Sequence, residues 1–184
     1  MALTAERGGA DRQAMYRALL GANGHNLLKL DLRLQMRTDQ PIAENANWLD
    51  VTHGITFANA VRRQCTKFPE LWPQGLLQMA CFAGRNSGFL DDSVSLDRWF
   101  ISRPDKFFAR AVDGLLDHGK DENIVAVHIL KTTLAARAEL AEGLADEAAQ
   151  LVVAGMNRFL NSPLRRRHVR RTMRQAMAFV GLGE

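Results

Sequence analysis

Five histidines, at positions 25, 53, 118, 128 and 168, carry the widest chemical range in this chain, because imidazole binds metal ions and moves protons near neutral pH. His53 lies in Trp48-Leu49-Asp50-Val51-Thr52-His53-Gly54-Ile55-Thr56-Phe57. On a helix Asp50 and His53 stand three apart on one face, so both can reach one metal ion. The same face carries Leu49, Phe57 and Ala60, which points His53 inward. A plainer reading keeps Asp50 as a capping acid and His53 as a core histidine bonded to a neighbour. His128 sits in Val125-Ala126-Val127-His128-Ile129-Leu130-Lys131-Thr132, with apolar residues on both sides and Thr132 one turn on. A partly buried imidazole on such a helix can build a cofactor site or be an inert, satisfied core residue.

His25 follows Asn23-Gly24 and precedes Asn26-Leu27-Leu28. At a turn or in a first helical turn, the macrodipole would hold it neutral, as a metal ligand must be. His118, just before Gly119, suits a helix C-terminus, and His168 falls within a run of arginines. Other chemistries are excluded by pattern. There is no Glu-x-x-His pair of the di-iron kind, Asp50-x-x-His53 being one imperfect half, no metalloprotease, Walker or dinucleotide motif, and no Gly-x-Ser-x-Gly. Cys65 and Cys81 have no ligand-spaced partner and read as packing thiols.

The elements that must position these residues read as helices. The chain has 184 residues, 47% of them apolar and 24% charged, which fits one globular domain with its own core. Residues 1–10 read as a flexible terminus and 11–182 as a single all-α bundle of seven or eight helices with short loops. Helices are expected over 11–22, with Met15, Leu19 and Ala22 at helical spacing, and over 45–67. The second is capped by Asn47 and Asp50 and carries a stripe of Trp48, Val51, Ile55, Ala58 and Arg62. A restart after Pro69 and Pro73 carries Leu76, Leu77, Ala80 and Phe82. A further helix should run from the Ser102 cap to Asp117 or His118 and stop at Gly119. Residues 121–143, 144–160 and 163–180 complete the set. Leu28 to Arg37 alternates apolar and polar as a strand would, yet most of its residues favour helix and no second alternating run can pair with it; helix is the expectation, and a copy of itself is the partner if it is a strand.

The net charge is +4, and Arg165, Arg166, Arg167, Arg170, Arg171 and Arg174 place six positive charges in ten residues, so the rest of the chain carries −2. In the terminal helix Val169, Met173, Ala176 and Val180 form the expected inward stripe. Its arginines would face phosphates, an acidic protein or solvent. Nucleic acid is the less favoured partner, because no DNA-binding motif and no interleaved aromatics accompany the charge. Without an apolar span or a secretion-type leader, a reduced, cytoplasmic protein is expected.

Gly24-His25-Asn26-Leu27-Leu28, the run from Trp48 to Ala60, and His128-Ile129-Leu130-Lys131-Thr132 together resemble the helical region of bacterial Rieske-domain-containing, questin oxidase-like proteins, across most of residues 12–180. The resemblance implies an oxidative site built on helix-borne histidines, here His25, His53 and His128. The paired Cys-x-His and Cys-x-x-His of a Rieske centre are absent, so an iron–sulfur cluster is not encoded in this chain.

Two functions follow as expectations. One is an oxidoreductase-type domain with His25, His53 and His128 around a metal ion (iron), a haem or an apolar substrate. In it, His53 and His128 serve as ligands or acid–base groups, Asp50 orients or co-ligates, and Asn26 and Thr52 supply supporting hydrogen bonds. Its partners would be a redox protein or a second copy. The other is a non-catalytic interaction module whose arginine-rich terminal helix binds an acidic protein or nucleic acid.

Overall fold

Asn47 starts the helix on which His53 sits. Its side-chain oxygen accepts from the Leu49 amide at 2.8 Å, while Asp50 accepts from the Asn47 amide at 2.9 Å and its side-chain nitrogen at 2.8 Å. This reciprocal cap satisfies backbone donors that the first turn leaves open, and the helix runs Trp48–Lys67. In the computed structural model, which describes residues 11–36, 44–115, 123–142, 147–162, 173 and 176–181, the order is α1 (Arg12–Lys29), α2 (Trp48–Lys67), α3 (Trp72–Asn86), α4 (Leu96–Trp99), α5 (Pro104–Asp113), α6 (Asn123–Ala141) and α7 (Glu147–Leu160). Residues 173 and 176–179 are helical as well. The fold is all-α, with no strand among the described residues. None of the described helices is long and apolar enough to cross a membrane.

The centre of the bundle is α1, packed against α2, α3 and α7, while α6 lies on α2 and touches α5 and α7. Tyr16, Leu20, Leu27, Val51, Ile55, Trp72, Val152 and Phe159 are among the residues that fill the core. The expected α1 stripe is displaced by about one residue: Tyr16 and Leu20 are buried, Met15 and Leu19 only partly, and Ala22 is exposed. The reason is the α1–α7 contact, which is made by glycines. A Cβ on Gly24 would stand 2.9 Å from the Val152 backbone nitrogen, and one on Gly155 would stand 3.0 Å from that of Leu28. Backbones this close leave no room for a methyl group. Gly24→Ala is therefore expected to destabilise the fold: overpacking costs about 1–3 kcal/mol, against a helix-propensity gain of about 1 kcal/mol. Urea unfolding of the variant measures the difference.

Leu28 to Met36 is helical in two pieces, as expected, but the two are separated at Leu30 and Asp31. Lys29 ends α1, Leu30 forms an isolated antiparallel bridge to Leu90, and Leu32–Met36 is a 3₁₀ helix; Arg37 lies outside the described residues. The bridge is closed by the Asp31 amide on the Phe89 carbonyl at 2.9 Å and the Asp91 amide on the Lys29 carbonyl at 2.7 Å. From α7 the buried Arg158 donates to the Leu28 and Leu30 carbonyls at 2.6 and 2.8 Å and lies over the Trp48 ring. Its guanidinium thus satisfies acceptors that the end of α1 leaves open.

The helix beginning at Pro104 ends at Asp113 with Gly114 as its cap, rather than running to Asp117 or His118. Arg103 precedes it without a side-chain cap, so Ser102 does not serve as one. His118, Gly119, His168 and all six clustered arginines lie outside the described residues. Of the expected inward stripe on the terminal helix, Met173, Ala176 and Val180 are exposed, and Val169 lies outside the described residues.

Candidate histidine pair between two helices

His53 and His128 meet. Their Nε2 atoms are 3.1 Å apart and their ring centroids 5.2 Å apart, the planes inclined by 55°. Two helices create the meeting. The capped start of α2 fixes the phase that sends Val51, Ile55 and Ala58 into the core and leaves His53 on the flank facing α6. On α6, Ile129, Thr132 and Ala136 are buried, and His128 sits at the margin of that face.

The tautomer of His128 follows from its other nitrogen. Nδ1 lies 2.7 Å from the Ile124 carbonyl oxygen, which can only accept, so Nδ1 carries the hydrogen. In the neutral ring Nε2 is then a bare lone pair aimed at His53, and His53 Nε2–H donates to it. A backbone carbonyl that orients one imidazole nitrogen and frees the other is the arrangement seen behind metal-binding histidines.

Both rings are biased toward the neutral form. Burial lowers the affinity of His53 for a proton, and Lys131 and His128 lower it further. Burial is also the main cause at His128, where Lys131 acts in the same direction and the Ile124 bond opposes it. Burial lowers His25 too, with help from Lys29. A histidine whose folded pKa lies below its unfolded value of 6.5 binds fewer protons folded than unfolded. Its contribution to stability is complete above about pH 6.5 and is lost as pH falls through the folded pKa. Melting temperature is expected to drop between about pH 7 and 5, and the drop should be shallower in a His53→Asn, His128→Asn double variant. Parallel curves for the two proteins would remove the pair from this effect.

His25 does not join them. It lies within α1, not in a first turn, and lines a cleft of about 980 Å³ with Arg17, Gly21, Ser87 and Leu151. Gly24 is pinned against Val152 of α7, which sets the rotation of α1; the residue that α1 turns toward the His53–Gly54 step is Asn23, whose side-chain oxygen would collide with a Cβ on Gly54. Among the described residues no three His, Cys, Asp or Glu side chains are grouped to hold a metal ion, which corrects the three-histidine ligand set.

The remaining candidates have structural work. Asp50 is held in the cap and 3.4 Å from Arg85 Nη1, so it does not orient His53 by a direct bond. Asn26 is buried and donates to the Ala83 carbonyl at 2.9 Å. The Thr52 hydroxyl donates to the Leu49 carbonyl at 3.1 Å. Cys65 is buried and its thiol pKa is raised by that burial, whereas Cys81 is exposed.

A second polar cluster escaped sequence reasoning. Glu139 of α6 is 2% exposed and accepts from Asn59 Nδ2 at 2.7 Å and from Arg62 Nε at 3.0 and 3.1 Å. The Tyr16 hydroxyl donates to its other edge at 2.8 Å, and burial with the adjoining carboxylate pushes that phenol's pKa far up. The signal available was Arg62 at the end of an otherwise apolar stripe. No protein-family model matches this sequence, and no curated protein or solved structure is significantly similar to it.

Proposed function

We propose that this chain is a helical protein of oxidoreductase type whose centre is the His53–His128 pair, holding one first-row transition-metal ion. The observation that carries the reading is the 3.1 Å Nε2–Nε2 spacing combined with the Ile124 bond on the far side of His128. With metal–nitrogen bonds of about 2.0–2.1 Å, two imidazoles on adjacent positions of one ion stand about 3.0–3.3 Å apart. Opposite positions, as on the two axial sides of a haem iron, would need about 4 Å. The pair fits the first geometry.

In the metal-free protein one proton bridges the same two nitrogens. An ion would replace that proton, with His53 moving its hydrogen to Nδ1. Two neutral nitrogens suit copper, iron, nickel or zinc, with copper(II) bound tightest among divalent ions. The two imidazoles would leave other positions on the ion to water or a substrate, and an open position is what distinguishes a reactive from a structural centre. The resemblance stated for these same histidine segments implies oxidative chemistry of this kind.

Titration of metal-free protein with copper(II) at neutral pH is the test. One ion per chain is expected, with a visible absorption that bleaches on mild reduction and returns in air. Saturable binding that persists unchanged in a His53→Asn, His128→Asn variant, or its absence from the parent protein, would overturn the proposal.

A further inference from the structure

Helix α6 is apolar on both sides. Its inner side packs Ile129, Thr132, Ala135 and Ala136 into the bundle, while Ile124, Val127, Leu130 and Leu134 form a stripe on the outer side, each between 43% and 54% exposed. A helix that is hydrophobic all round is normally buried all round, and a contiguous outer patch of large aliphatic side chains marks a docking surface. A second uncovered apolar surface lies in the same chain. Met173, Met177 and Val180 stand four and three residues apart, the spacing that puts side chains on one face of a helix, and are 55%, 39% and 64% exposed; Phe179 beside them is 85% exposed. Within one molecule neither surface covers the other.

The two are complementary in charge along the sequence. The arginine run from 165 to 174 immediately precedes and overlaps the terminal stripe and holds no acid. The sequence flanking α6 is acidic: Asp113, Asp117, Asp121 and Glu122 come before it, and Glu142, Asp146 and Glu147 after it. An apolar seam with basic residues on one partner and acids around the other selects a mate and a direction.

We propose that the chain forms a twofold dimer in which the Met173–Met177–Val180 stripe of each copy docks on the Ile124–Val127–Leu130–Leu134 face of its partner's α6. Reciprocal exchange uses both surfaces of both copies and closes the assembly, whereas a one-way contact would leave a free surface at each end and propagate. The inference is independent of the metal site.

Light scattering on the full chain, with Cys81→Ser as the background, tests it. A dimer is expected at micromolar concentration, converting to monomer in Val127→Glu and separately in Met177→Glu. Both positions are exposed, so helicity and melting should stay near those of the parent in dilute monomeric samples. A mixture of a Val127→Cys chain with a Met177→Cys chain should give a disulfide-linked heterodimer under mild oxidation. A parent that stays monomeric, a dimer that survives both substitutions, or a monomer whose terminal helix binds a mixed-sequence oligonucleotide instead would overturn the proposal.

Discussion

Glu139→Ala should lower the unfolding free energy by about 3–5 kcal/mol, the cost of removing one member of a buried ion pair. That is a large fraction of the about 5–15 kcal/mol that holds a domain of ordinary stability together. Three groups lose an acceptor at once: the Arg62 guanidinium, the Asn59 amide and the Tyr16 hydroxyl. Tyr16 keeps the Ala58 carbonyl at 3.1 Å, and Arg62 keeps Glu142 at 3.2 Å, where the acid is 61% exposed. Those residual contacts pull the expected cost toward the lower end. Glu139→Gln retains the shape and an acceptor, and should lose about 1–3 kcal/mol, the range for a hydrogen bond to a charged group and for an unmet buried donor. Denaturant unfolding of the two variants separates charge from shape. An Ala variant within about 1 kcal/mol of the parent, the typical value for any substitution, would show that Arg62 escapes to solvent and that the cluster adds nothing to the fold.

What could be read from residues alone tracks how local the physics is. The start of α2 was legible because a cap and an acid three residues on act within one turn, and its stripe from Trp48 to Ala58 is buried as expected. The phase of α1 was not legible. Gly21 and Gly24 face α7 there, and a glycine contributes nothing to an apolar pattern even when it is the closest contact of the helix. The same glycine register turned His25 away from His53, so the three-histidine set failed on geometry that no spacing within residues 23–27 reveals. His53 and His128 were legible as candidates because each interrupts an apolar face, but their 3.1 Å meeting is a tertiary fact. Glu139 lies in an alanine-rich helix and looks there like a solvated acid; its partners are Tyr16, 123 residues earlier, and Arg62, 77 residues earlier. Buried charge becomes visible only once its counterpart is in place. Arg158, 5% exposed, was hidden for the same reason.

On the proposed reading, loss of either His53 or His128 is expected to weaken copper binding by more than the about 10–100-fold that follows removal of an outer-shell partner, because one of the two proposed ligands goes with it. The double variant should bind no more weakly than either single one by any comparable factor, since one imidazole alone leaves the ion nearly free. Such non-additivity is the mark of two groups acting on one object. The pH dependence has a definite sign. Metal and proton compete for the same Nε2 lone pairs, so apparent affinity falls as pH drops. Burial lowers both folded pKa values below 6.5, which shifts the fall to more acid pH than two exposed histidines would show. Lys131 supplies an internal check. Its charge acts on both imidazoles in the direction that disfavours a cation, so Lys131→Met should tighten the bound ion a few-fold and raise the pH at which each ring protonates. A structural histidine pair without a metal would shift its protonation in that variant and show no change in copper affinity, which isothermal titration and histidine proton NMR resolve side by side.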